Sequence, residues 1–260
     1  ATAGQCEIDI KYDLMTNSAD GAQSYKYVVR NVAQQFGKVA TMMPKPISMD
    51  AGSGMHTNVS LWKKNENTFY DKDADLELSQ TGRYFCGGVM EHAKALTAIT
   101  NPTTNSYHRL VPGYEAPVYI AWSSSNRSAT IRIPGHFKGE KYAYMKRMEY
   151  RVPDPASNPY LVFSAVLAAG LDGIRKKTDP GDPVKEDIYK MTKSERKKHG
   201  IDTLPANLGR ALDELESDRK FLNPIFSNDV LDKIIELERR DHREIAIRPH
   251  PHEFYLYFDV

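Results

Sequence analysis

The run Arg147-Met148-Glu149-Tyr150-Arg151-Val152-Pro153-Asp154 sets charge and apolar bulk strictly in turn. Only an extended strand sorts such a run, because its successive side chains point to opposite faces. Met148, Tyr150 and Val152 then occupy one face and can be buried, while Arg147, Glu149 and Arg151 share the other. An ordinary strand shows such charges to water. With the opposite face buried, however, the charged face becomes a candidate cavity wall, a cation-binding carboxylate between two anion-binding guanidiniums.

Strands are expected early in the chain and helices late. Cys6, Ile8 and Ile10 alternate with Glu7, Asp9 and Lys11 as a strand with one apolar face, and a helix is expected from near Ser18 to Gly37, with Tyr25, Val28, Val29, Val32 and Phe36 at helical spacing. A short strand at 39–43, a Pro- and Gly-bearing loop at 44–55 and a second alternation through Trp62 follow. A helix is expected over about 78–99, then an irregular stretch at 101–117, then strands at 118–123, 128–133 and 142–152. Asn158-Pro159 opens a further helix as N-cap and first helical residue, and Lys176 and Lys177 favour its C-terminal dipole. Two more helices fit 208–219 and 228–240, and the charged, Lys-rich stretch at 179–205 is expected to be a solvated excursion. This order is α+β, without alternating βαβ units or internal repeats.

Composition narrows the class. With 260 residues, 40% of them hydrophobic and 27% charged, the chain has material for a sizeable core without disulfides or structural metal. Lys plus Arg (35) balance Asp plus Glu (34), so neither nucleic acid nor an anionic membrane is an expected partner. The longest apolar run, 160–171, is far short of the roughly 20 residues a membrane span needs. Cys6 and Cys86 lack disulfide-framework or metal-ligand patterning, which points to free thiols in the cytoplasm. No basic and apolar leader opens the chain, and its start at Ala1 without an initiator methionine is expected of a fragment or a processed chain.

Three further segments carry candidate chemistry. In Lys45-Pro46-Ile47-Ser48-Met49-Asp50-Ala51-Gly52-Ser53-Gly54-Met55-His56-Thr57-Asn58-Val59-Ser60, the glycines let backbone approach a ligand, and a strand then places His56, Asn58 and Ser60 on one face. The loop Asn101-Pro102-Thr103-Thr104-Asn105-Ser106-Tyr107-His108-Arg109-Leu110-Val111-Pro112-Gly113-Tyr114-Glu115-Ala116-Pro117 is costly to order unless it holds something; Arg109 suits a carboxylate and Glu115 suits a base. Asn126-Arg127-Ser128-Ala129-Thr130-Ile131-Arg132-Ile133-Pro134 adds two more guanidiniums.

Together these segments resemble, in order, the signatures of prokaryotic-type glutamine synthetases, and the resemblance runs from Ala1 to Val260, including His250-Pro251-His252-Glu253-Phe254. Departures are His108 where the family has Lys, and Asn58 where many members have a second His. The resemblance implies a catalytic domain over 1–260, a curved antiparallel sheet flanked by helices, lacking the family's N-terminal domain. It implies ATP-dependent joining of ammonia to the side-chain carboxylate of glutamate through γ-glutamyl phosphate.

By the same resemblance, Glu7, His56 and Glu149 are ligands for Mg²⁺ or Mn²⁺, and Arg109, Arg151, Gly52 and Glu115 contact the substrate amino acid. Ser60, Tyr12, Arg127, Arg132 and Arg147 contact the nucleotide. Glu115 and Arg127 act in catalysis, the first as base toward ammonium and as part of a loop closing over the intermediate, the second spreading phosphoryl charge. Partners are glutamate, ammonia, ATP and identical subunits in a ring, with active sites shared between neighbours, so the fragment alone is expected to be inactive. A γ-glutamyl ligase for a larger amine and a non-catalytic relative remain as alternatives. Tyr189 falls near a position adenylylated in some bacterial members, but Asp187-Ile188-Tyr189-Lys190-Met191 matches that site poorly, and an ordinary surface tyrosine is expected.

Overall fold

The computed structural model describes residues 4–113, 116–126, 128–135 and 138–259. The elements in order are α1 Met15–Gln35, β1 Thr57–Val59, β2 Trp62–Lys63, β3 Glu66–Asn67, α2 Gln80–Glu91, α3 Ala93–Thr100, α4 Thr104–Arg109, β4 Tyr119–Ser123, β5 Ala129–Arg132, β6 Met148–Tyr150, α5 Pro159–Lys176, α6 Lys193–Lys198, β7 Asp202–Thr203, α7 Leu208–Ser217, α8 Asn228–Ala246 and α9 Pro251–Tyr257. Sheet and helices together make the expected α+β architecture.

The main sheet runs β1-β6-β5-β4-β7. All its pairs are antiparallel except β4–β5, which is parallel across the short link 124–128. Met148, Tyr150 and Val152 of the alternating run are completely buried, with Ile131 and Ile133 beside them. The dry face read from the sequence is therefore the core side of the sheet.

Helices cover that side. Helices α2 and α5 cross so closely that a Cβ on Gly88 would stand 2.2 Å from the Ala169 carbonyl oxygen, and one on Gly173 would stand 2.3 Å from that of Tyr84. Only glycine fits these crossings. Helix α5 starts as expected, with Asn158 Oδ1 accepting from Tyr160 N at 3.0 Å and Pro159 in the first turn; it ends at Lys177 in the left-handed region (φ 57°).

Several expected elements differ. Residues 5–14 are not a strand, because no neighbouring edge pairs with them among the described residues; Ile8 and Ile10 stay exposed. An alternating pattern becomes a strand only where another strand satisfies its backbone. The 39–43 stretch is likewise irregular, and the strand expected at 142–152 shortens to β6, preceded by a 3₁₀ turn at Glu140–Met145. The helix expected over 78–99 breaks at His92, and the irregular 101–117 stretch contains α4, started by a Thr103–Ser106 capping box. In α1 the small Ala19 and Ala22 are buried, while Val28, Val32 and Phe36 of the expected apolar stripe are exposed.

The stretch at 179–205 is also more than a solvated excursion. Buried Ile188, Met191, Ile201 and Leu204 lie hidden among its charges, and β7 joins the sheet beside β4. Tyr189 is half-buried, keeping part of its side chain at the surface.

His92 shows why the helix breaks there. Its imidazole is buried, 3.0 Å by Nε2 from Asp172 of α5 and 2.6 Å by Nδ1 from Asp218 at the end of α7, and it stacks on Phe221 at 3.9 Å. Burial alone would lower its pKa, but the two carboxylates outweigh burial and raise it.

Candidate active site

Glu149 sits at the centre of the sheet's charged face. It pairs in register with Asn58 of β1 on one side and Arg132 of β5 on the other, so three strands bring these side chains to one row. Its carboxylate is buried, and Oε1 lies 3.2 Å from His56 Nδ1 and 3.4 Å from Arg151 Nε, while Oε2 lies 2.5 Å from Arg132 Nη2. Burial pushes the Glu149 pKa up, but His56, Arg132 and Arg151 more than offset it and hold the carboxyl below its ordinary range. Arg147, two residues along the same face, donates from Nε to Asn58 Oδ1 at 2.9 Å.

Arg109 forms the floor beside this row. Its guanidinium is buried and donates to the carbonyls of Val152 (2.7 Å) and Arg151 (3.0 Å), with Pro153 at 3.4 Å. Burial lowers its pKa to about 10, still far above neutrality, so it keeps its charge. The glycine-rich loop wraps it: a Cβ on Gly52 would meet Arg109 Cγ at 2.8 Å. A Cβ on Gly54 would meet Arg109 Nη2 at 2.5 Å and His56 Nε2 at 3.0 Å. These two glycines are small because the imidazole, the guanidinium and the loop must share one space.

Not every expected residue joins the group. Ser60 follows β1, and its hydroxyl accepts from Trp62 Nε1 at 3.0 Å. Glu7 and Tyr12 are exposed on the irregular 5–14 segment, without a hydrogen bond or ion pair to the row among the described residues. Gln5 ties that segment to the glycine loop through Nε2, 2.9 Å from Gly52 O and 3.0 Å from Ser53 Oγ. Glu7 is thus two residues, at most about 7 Å of chain, from that tether. The expected roles of Glu115 and Arg127 fall on residues outside those described.

The family model described as glutamine synthetase, catalytic domain, matches residues 1–257. This chain belongs to the glutamine synthetase family. It is 55% identical to the glutamine synthetase of Sulfolobus acidocaldarius and 50% to that of Frankia alni, each over 100% of this chain and about half of the relative (55% and 54%). The chain therefore spans about half the length of the curated relatives it matches. Among solved structures, a GmaS–ADP complex superposes with a TM-score of 0.85 at 34% identity, covering 96% of this chain and 56% of that one. The Plasmodium falciparum glutamine synthetase gives 0.83 at 31% identity, covering 95% and 55%.

Two supports of this candidate site went unread in the sequence. Asn101 Nδ2 donates to the Val152 carbonyl at 3.0 Å and to Asp154 Oδ2 at 2.8 Å, joining the start of the 101–117 loop to the end of the β6 run. Asp154 is completely buried; burial raises its pKa, and the Arg109 charge and hydrogen bonds from Ser106 and Asn101 work against that rise. The signal was present as the motif-edge pairs Asn101-Pro102 and Pro153-Asp154, which read as boundaries rather than as partners.

Proposed function

We propose that the protein containing this chain joins ammonia to the side-chain carboxylate of L-glutamate at the expense of ATP. The observation that carries this reading is the buried Glu149 held between His56, Arg132 and Arg151 on one sheet face. Such a row suits polyanionic phosphate beside an acidic amino acid. Membership in the glutamine synthetase family supports the same activity.

A divalent cation fits the chemistry of this donor set, because the buried Glu149 carboxylate, ion-paired through Oε2 to Arg132, offers oxygen and the neighbouring His56 imidazole offers nitrogen. His56 and Glu149 would hold Mg²⁺ or Mn²⁺, with Glu7 reaching over from the Gln5 tether, and the ion would neutralise phosphate charge. Arg132, Arg147 and Arg127 orient the ATP phosphates, and Tyr12 and Ser60 contact its nucleoside. Arg109, Arg151 and Gly52 hold the glutamate carboxylates. Its side-chain oxygen then attacks the γ-phosphorus, ADP leaves, and γ-glutamyl phosphate forms. Ammonia displaces phosphate from that acyl carbon while Glu115 accepts the ammonium proton.

The apolar side chains exposed near both ends of the chain, among them Ile8, Ile10, Leu14, Phe254 and Phe258, support assembly into a homo-oligomeric ring. No helix of the described residues is long and apolar enough to cross a membrane, and a cytoplasmic site of action, without nucleic acid or membrane partners, is the reading we adopt. Glutamate-, ammonia- and ATP-dependent phosphate release tests the proposal. The chain extended to its relatives' length should turn over, and the 260-residue chain by itself should be slower by orders of magnitude. Equal rates would contradict a site completed by other segments or subunits.

A further inference from the structure

We propose that Lys146 is a positioning residue for the nucleotide: its buried ammonium fixes the backbone that carries Arg147, and so sets where that guanidinium meets the ATP phosphates. The proposal rests on the reading of Arg147 as a phosphate contact. Lys146 is 4% exposed, and lysine is almost never so buried unless its charge is answered. Its Nζ donates to the Leu76 carbonyl at 2.7 Å, across 70 residues of sequence, and lies 3.6 Å from Glu77 Oε2.

The turn that receives the ammonium, Asp75–Glu77, is unusual. Leu76 (φ 54°) and Glu77 (φ 53°) both occupy the left-handed region, which L side chains rarely adopt. Such backbone persists only where its surroundings over-determine it. Here Leu78 just beyond is completely buried and bridges to Tyr70, and Gly139 N donates to Glu77 Oε1 at 2.8 Å. The segment 139–147 is thus stapled to one turn at both ends, by Gly139 and by Lys146. Asn67 holds its middle, donating from Nδ2 to Ala143 O at 3.0 Å and to Lys146 O at 2.7 Å.

Lys146 is extended (φ −66°, ψ 123°) and continues the alternation of β6. Its side chain therefore goes to the core side with Met148, and that of Arg147 goes to the charged face. Arg147 is oriented by two bonds, Nη1 to Met145 O at 3.1 Å and Nε to Asn58 Oδ1 at 2.9 Å. Both depend on where the backbone at 145–147 lies, and the Lys146 side chain ties that backbone to the turn. Released from Leu76, the segment can shift, and a guanidinium–phosphate bond demands direction as well as charge. Nucleotide binding should weaken, while glutamate, held by Arg109 and Arg151, should not be affected.

The test is Lys146→Met in the full-length assembled protein, which keeps an unbranched apolar stem and removes the ammonium. Calorimetric titration with a non-hydrolysable ATP analogue and Mg²⁺ should give a Kd about three- to tenfold higher. The KM for ATP should rise with it, while the KM for glutamate changes less than about twofold. A merely structural lysine would move both KM values together. An unchanged Kd, or equal rises in the two KM values, would overturn the proposal. If Lys146→Met does not fold, Glu77→Gln carries the test, since it keeps an acceptor for Gly139 N and removes only the charge facing Lys146. A rise of about two- to threefold in the same Kd is then expected, and no rise would overturn the proposal. Arg147→Gln separates the proposal from the reading beneath it. Unchanged analogue binding in Arg147→Gln refutes the phosphate contact, whereas weakened binding there with none in Lys146→Met refutes the positioning role alone.

Discussion

His56 Nδ1 lies 3.2 Å from Glu149 Oε1 although the two residues are far apart in sequence, one entering edge strand β1 and the other midway along β6. The antiparallel register that sets Asn58 opposite Glu149 produces this meeting, since His56 lies two residues before Asn58 on the same face.

Replacing Glu149 with Gln keeps the volume and removes the charge that His56, Arg132 and Arg151 share. Arg151 is buried, so the apo protein should lose about 3 kcal/mol of stability by denaturant unfolding. Mn²⁺ affinity, followed by calorimetry, should fall at least about tenfold.

Gly54→Ala tests the crowding around Arg109. Its new methyl would need room now held by Arg109 Nη2 and His56 Nε2, so both must move. A stability loss of about 1–3 kcal/mol is expected. Glutamate KM should rise more than ATP KM, which steady-state kinetics would read.

The α2–α5 crossing should tolerate no side chain. In Gly88→Ala the clash is with the backbone oxygen of Ala169, which cannot rotate away, and a loss above about 3 kcal/mol is expected from thermal unfolding. Gly21→Ala, where nothing lies within 4 Å inside α1, should instead stabilise by about 0.5–1 kcal/mol.

The His92 junction makes stability depend on pH. Because the folded pKa is raised, mainly by Asp218 and Asp172 acting against burial, the imidazolium's contribution is fully present below the unfolded value near 6.5. It is lost as pH rises through the folded value. Glu91, Lys176 and Arg175 border the same network: Lys176 Nζ lies 2.7 Å from Asp172 Oδ2 and 3.1 Å from Glu91 Oε1, and Arg175 Nη2 lies 3.2 Å from Asp172 Oδ1. His92→Gln should flatten the stability profile across that range, as chemical denaturation at stepped pH would show.

The charged face was legible because its physics is local: one strict alternation fixes which side chains share a side, and Glu149 with Arg147 and Arg151 follows from sequence spacing. The helix start at Asn158-Pro159 was legible for the same reason. What the sequence hid depends on distant partners. Residues 5–14 alternate without a strand to pair with, and the break at His92 comes from carboxylates on α5 and the end of α7. The bond from Tyr189 to Ala116 O was hidden because its acceptor is a backbone atom that no side-chain pattern announces.

The central claim is that phosphate passes from ATP to the side-chain carboxylate of glutamate over the Glu149 row. It is tested most directly by supplying the full-length protein with glutamate labelled with ¹⁸O in that carboxylate, together with ATP and ammonia, and weighing the released phosphate. One labelled oxygen in each phosphate, with glutamine formed in equal amount, is the predicted result, and Glu149→Gln should release little phosphate of any kind. Unlabelled phosphate from the wild-type protein would mean that water, not glutamate, took the phosphoryl group, and would contradict the account.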